Sequence, residues 1–185
     1  MSYYHEQLEG WSEFVGFYGQ MVEQAKEGDC FVEIGIWKGR STIAMAEFIR
    51  ESGKHINFIA VDHFLGSEEH QKDMPNLDLY SDFSQHVELS NTGNYINLAL
   101  GHSVEVAKSL LTETVNFIYL DASHDYDNVK ADLNAWYPKL VSGGVFAGHD
   151  WGGYWPGVTK AVTEFAEQNS LIIIDQGSTW RINKP

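Results

Sequence analysis

A chain of 185 residues, 43% hydrophobic and 21% charged, has the size and apolar content of one globular domain with a substantial core, which excludes a disordered protein. Twelve Lys plus Arg stand against 26 Asp plus Glu, and the net charge of −14 argues against a nucleic-acid partner, because a phosphate backbone rewards basic patches. Cys30 is the one cysteine and rules out a disulfide framework, the apolar runs fall short of the roughly 20 residues that span a bilayer, and Tyr3-Tyr4-His5-Glu6 lacks the regions of a signal peptide, so a soluble cytoplasmic protein with no membrane partner is expected.

Trp11, Phe14, Val15, Tyr18, Met21, Val22 and Ala25 recur at helical spacing and predict an amphipathic helix within residues 1–28. The stretch DCFVEIGIWKGRSTIAMAEF, Asp29 to Phe48, follows. Its run Phe31, Val32, Ile34 and Ile36 reads as a buried strand, Gly35 and Gly39 bracket three residues, and a helix of few polar positions is expected from Ser41 to Arg50. Glycine permits positive φ and close approach of a ligand, although a strand–helix turn whose glycines serve geometry alone has the same pattern. A phosphate loop would need Gly-Lys-Ser/Thr, and Lys38-Gly39-Arg40-Ser41 has another order. A dinucleotide turn wants Gly-x-Gly-x-x-Gly, whereas the second glycine is missing here and Glu33 would repel a pyrophosphate. An acid at that place suits a ligand with an ammonium or sulfonium group, and S-adenosylmethionine carries both.

INFIAVD is the second predicted strand, ending in Asp62. Residues 63–92 loosen into a polar insertion or lid with Pro75 and a helix around Asp82 to Leu89. YINLAL, VNFIYLD and GGVFAGHD read as strands three to five, with helices from Val104 to Leu110 and along the stripe Tyr126, Val129, Leu133, Trp136, Tyr137 and Leu140. A helix from Val158 to Gln168 and two short strands, LIIID and TWRI, close the chain. Repeated strand–helix units predict a single doubly wound, Rossmann-like α/β domain with helices on both faces, whose ligands gather at the carboxyl ends of the strands.

Those ends are acidic: Glu33, Asp62, Asp121 and Asp150. Asp62, lying about 20 residues or more beyond the glycine turn, reads either as the acceptor for ribose hydroxyls or as a turn cap. Gly101, His102 and Ser103 would border an adenine, and Ser103 reads equally as a helix N-cap. Trp151, Tyr154 and Trp155, on a loop with Gly152, Gly153 and Pro156, would stack on an acceptor or pack the loop, and Tyr80 and Phe83 pose the same choice.

YLDASHDYDNVKADLNAWYPKLVSGGVFAGHDW, with EIGIWKGRST before it and WPGVTKAV overlapping its end, resembles the class I S-adenosylmethionine-dependent methyltransferases, in particular the branch called methyltransferase domain 24. The resemblance runs from Asp29 to the C-terminus and implies a seven-stranded, mostly parallel sheet with its last strand antiparallel. It implies that Glu33, Gly35 and Gly39 line the methionine end of S-adenosylmethionine, that Asp62 holds the ribose, that Ser103 lies beside the adenine, and that Asp121 borders the cofactor. In metal-dependent members that methylate hydroxyls, an acid after strand four and a pair after strand five bind magnesium, and a His three residues beyond the first acid is the base. Asp121, His149, Asp150 and His124 fall on those positions. The departure is His149, where the metal-dependent sugar-methylating relatives carry an acid; magnesium prefers oxygen ligands, so of the divalent metals implied, magnesium or manganese, the imidazole shifts the preference toward manganese or another transition metal, and a hydrogen bond across the strand end competes with a ligand role. His124 has a competing reading as a helix cap.

A sugar hydroxyl is a poor nucleophile at neutral pH and gains from a base and a cation, and imidazole suits the first task. The expected activity is therefore methyl transfer to a hydroxyl of a small molecule or sugar, in a chain compatible with a homo-oligomer. Two other readings stand beside it: a nucleoside-binding module without catalysis, and a nicotinamide-dependent oxidoreductase, which Glu33 disfavours.

Overall fold

The computed structural model describes residues 3–66 and 77–185; Pro75 and the middle of the expected lid lie outside the described residues. Seven strands form one sheet: β1 Cys30–Ile34, β2 Asn57–Asp62, β3 Asn97–Leu100, β4 Val115–Leu120, β5 Leu140–Gly148, β6 Ile173–Gln176 and β7 Thr179–Asn183, in the order β3-β2-β1-β4-β5-β7-β6. β1 to β5 are parallel, and β7 runs antiparallel to both β5 and β6, so the mostly parallel, Rossmann-like sheet with an antiparallel last strand is observed. Among the described residues six α-helices accompany it: α1 Val15–Gln24, α2 Arg40–Ser52, α3 Leu79–Ser90, α4 Ser103–Ser109, α5 Tyr126–Trp136 and α6 Pro156–Gln168.

The central strands are buried on both sides, and alternation along them divides the core in two. Val32, Ile34, Ile118 and Leu120 pack with Leu133 and Trp136 of α5 and Val162 and Phe165 of α6. Phe31, Phe117 and Tyr119 pack on the opposite face with Tyr18 and Met21 of α1 and Met45 and Ile49 of α2.

Several boundaries differ from the periodicity. α1 begins at Val15, and Trp11 is 56% exposed with its ring 5.5 Å from that of Trp37, so its apolar side is spent on another aromatic. β1 ends at Ile34, because the Ile36 amide turns away to donate to Asp62 at 2.7 Å. β5 starts at Leu140, earlier than the Gly143 expected, across a shift of register opposite Val115 and Phe117. No helix among the described residues is long and apolar enough to cross a membrane.

Before α1 the chain forms a strap, residues 3–14, laid along α2 and over the turn that follows β1. His5 Nδ1 lies 2.6 Å from the buried Glu47 carboxylate, Lys38 pairs with Glu9 at 2.7 Å, and the Arg40 guanidinium donates to the Gly10 carbonyl.

Candidate active site

The strand order turns back between β1 and β4, and backbone pairing continues just past both strands. Gly35 N–H donates to the Val61 carbonyl at 2.9 Å, Asp121 N–H to Ile34 at 2.8 Å and His149 N–H to Leu120 at 3.0 Å. These bonds bring the ends of β1, β2, β4 and β5 side by side. The approach is so close that a Cβ on Gly35, which has φ +94°, would sit 1.9 Å from the Asp121 carbonyl oxygen. Gly39, φ +89°, occupies the N-cap of α2, and a Cβ there would sit 2.5 Å from the Phe83 ring. Both glycines thus meet a geometric demand of the chain itself.

Asp62 caps that turn. One carboxylate oxygen accepts from Ile36 N–H at 2.7 Å and Trp37 N–H at 3.3 Å, and the other accepts from Phe64 N–H at 2.7 Å. A carboxylate has about four acceptor sites, so it keeps capacity for a further hydroxyl. Glu33 is only 1% exposed, and it accepts from the Tyr18 hydroxyl at 2.9 Å and from the Thr42 hydroxyl. Burial outweighs those hydrogen bonds and pushes its carboxyl up to about 7. Ser103 is not an N-cap: His102 holds that place, while the Ser103 hydroxyl donates to Asp132 and accepts from the Trp136 indole at 2.8 Å, tying α4 to α5.

At the ends of β4 and β5 the structure brings Asp121, His149 and Asp150 together. His149 is 6% exposed, and its Nδ1 lies 3.2 Å from Asp150 and 3.6 Å from Asp121. One ligand atom from each residue falls within 4.8 Å of the others. Nδ1 is thus within hydrogen-bond reach of Asp150 and just beyond it for Asp121. One imidazole and two carboxylates so placed make a ligand set of the kind divalent cations use. Burial alone would lower the His149 pKa, but the Asp121 and Asp150 carboxylates beside Nδ1 push it up to about 11. Burial likewise opposes ionisation of Asp150, yet hydrogen bonds from His124 and His149 hold it far below the usual carboxylate range. Asp150 also has φ +62°, and Trp37 and Phe64 have φ +50° and +55°, so left-handed non-glycine residues follow β5, β1 and β2.

His124 joins the group, its Nε2 3.1 Å from the second Asp150 oxygen. Its ring lies flat on Trp155, with centroids 4.0 Å apart and planes 15° from parallel. The helix-cap alternative fails, because Asp125 caps α5 by accepting from Asn128 N–H at 3.0 Å. Trp155 packs on His124 and the Trp151 indole donates to Asp175 at 3.1 Å, whereas Tyr154 is 88% exposed. Phe83 is buried and stacked on Phe64, and Tyr80 stays half exposed.

Glu13 has no counterpart among the expected site residues. Its carboxylate lies 2.9 Å from His149 Nε2, across 136 residues of sequence. In the sequence it is one polar residue before a helix, and no spacing rule connects it to His149.

Residues 32–151 match a family model described as a methyltransferase domain. The solved structure of the O-methyltransferase NovP superposes with a TM-score of 0.75 at 18% identity, over 92% of this chain and 78% of NovP. A Clostridium thermocellum protein assigned as an rRNA methylase gives 0.68 at 14% identity, over 96% of this chain and 100% of that one. CalS11, a TDP-rhamnose 3′-O-methyltransferase of calicheamicin biosynthesis, gives 0.62 at 15% identity, over 91% of this chain and 76% of its own. At these identities the likeness is one of fold. Among curated protein sequences none matches.

Proposed function

The chain belongs to the methyltransferase domain family, and from that membership we propose that it moves the methyl group of S-adenosylmethionine to a hydroxyl of a small molecule or sugar, with a divalent cation at Asp121, His149 and Asp150. The observation that carries this reading is the meeting of those three residues with His124 at the ends of β4 and β5, beside the glycine turn. S-adenosylmethionine, when bound, supplies an electrophilic methyl group on a positively charged sulfur. Carboxylates at the ends of β2 and β4 suit that charge and oppose a pyrophosphate. The turn from Gly35 to Gly39, with Glu33 behind it, holds the methionine end; Asp62 accepts from the ribose, Ser103 lies toward the adenine and Asp121 borders the methyl group.

His124 takes the proton from the acceptor hydroxyl as the methyl group transfers. Asp150 at Nε2 and Trp155 against the ring face hold the imidazole in place for that step. A cation on Asp121, His149 and Asp150 supplies positive charge beside the acceptor oxygen, and the imidazole in the donor set favours manganese or another transition metal over magnesium. The described helix α3 of the insertion sets the Phe83 ring against Gly39 of the glycine turn. The net charge of −14 supports a small acceptor over a nucleic acid.

Titration calorimetry with S-adenosylmethionine and with NAD tests the cofactor assignment. S-adenosylmethionine is expected to bind one per chain and NAD not at all; binding of NAD alone would overturn it. An assay against hydroxylated acceptors then separates an enzyme from a nucleoside-binding module.

A further inference from the structure

The strap ends at His149. Along its length it touches the turn assigned to the cofactor three times, through Glu9 on Lys38, Gly10 on Arg40 and Trp11 on Trp37. Glu13 then meets His149 Nε2 at 2.9 Å, and Phe14 packs beside the same imidazole, its ring 5.0 Å away, while stacking on Tyr119. Glu13 is itself held. One of its oxygens accepts from Ser12 N–H at 3.0 Å, and the other, besides facing His149, accepts from the Ser178 hydroxyl at 3.5 Å.

An ionised carboxylate accepts hydrogen bonds and donates none, so the proton between Glu13 and His149 belongs to Nε2. A cation bound at Nδ1, the nitrogen that faces Asp121 and Asp150, displaces the proton there to solvent and takes the lone pair, while Nε2–H stays on Glu13. A carboxylate on the outer nitrogen of a ligating histidine fixes both its tautomer and its ring orientation. We propose that Glu13 is the positioning residue of His149, and that through it closure of the strap over the cofactor turn and binding of the cation are a single coupled event. This rests on the cation assignment above. Coupling is reciprocal: if the closed strap strengthens cation binding, the cation must hold the strap closed.

The test uses the full chain, manganese as the probe, and two readouts other than activity. Manganese affinity is measured by the spin-resonance signal of the free ion, and amide hydrogen exchange is followed across residues 3–14. Glu13→Ala is expected to weaken manganese binding by about 10- to 100-fold. Glu13→Gln is expected to keep most of the affinity, because its amide oxygen accepts the same N–H. Manganese should slow exchange in the strap of the parent and leave that of Glu13→Ala unchanged. A Glu13→Ala chain that binds manganese as tightly as the parent would overturn the inference while leaving the cation assignment standing. A parent that binds no manganese would overturn that assignment, and the inference with it.

Discussion

His124 is fixed in two directions, by Asp150 at Nε2 and by Trp155 on the ring face, which is the restraint a general base needs before its acceptor arrives. His124→Ala is expected to lower turnover by about 100- to 10,000-fold while S-adenosylmethionine affinity, measured by calorimetry, stays near the parent's. Near-parental turnover on a verified acceptor would exclude the role. Glu33 supports a second expectation. Its folded pKa of about 7 lies above the ordinary 4.5. The folded state thus keeps a proton that the unfolded chain gives up, and stability falls as pH rises between those values by something on the order of 3 kcal/mol. In the cofactor-free protein Glu33→Gln should raise the denaturation midpoint at pH 8 and change it little at pH 4.5; an equal loss at both would contradict this. The positions of Asp62, Asp121 and Asp150 were legible because each ends an apolar run, and that of Glu33 because it interrupts one. Their partners were not: the Asp62 bonds to three backbone amides, the tie from Ser103 to Asp132 and the reach of Glu13 to His149 are set by tertiary approach.

The turn between β1 and α2 tells two uses of glycine apart. Gly53, the C-cap of α2, has φ +67° and nothing within 4 Å of where its Cβ would be, whereas at Gly35 the Asp121 carbonyl occupies that place. Gly53→Ala should therefore cost about 1 kcal/mol for backbone strain, and Gly35→Ala about 4 kcal/mol or more, because backbone cannot give way as a side chain can. Denaturant melts of the two variants check the contrast, and equal losses would mean that the strand ends do not approach as described. Loss of cofactor binding in a Gly35 variant would then report a displaced β4 end rather than a filled methionine pocket. Strands β1, β2 and β4 were readable because an apolar run between polar breaks has few alternatives. The start of α1 was not, since Trp11 has helical spacing but packs on Trp37.

Across the molecule, strand–helix alternation announces a doubly wound sheet, but spacing alone does not say which strands are neighbours. The order that sets β1 beside β4 and β4 beside β5 is what brings Asp121 to the pair His149-Asp150 and the β1 end beside both Asp62 and Asp121; here a family resemblance supplied what local pattern could not. The same adjacency gives the cation a testable place. Exhaustive chelation should abolish methyl transfer, and manganese should restore it better than magnesium, as expected of a donor set with one imidazole and two carboxylates. Activity indifferent to chelation would remove the cation from the mechanism and leave His124 to act alone. The most direct measurement of the whole scheme follows a labelled methyl group from S-adenosylmethionine onto a panel of hydroxylated acceptors, with the site of attachment read by mass spectrometry. Label on an acceptor oxygen, made by the parent and lost in His124→Ala, is the expected result; label on nitrogen or carbon, or transfer unaffected by that substitution, would contradict it.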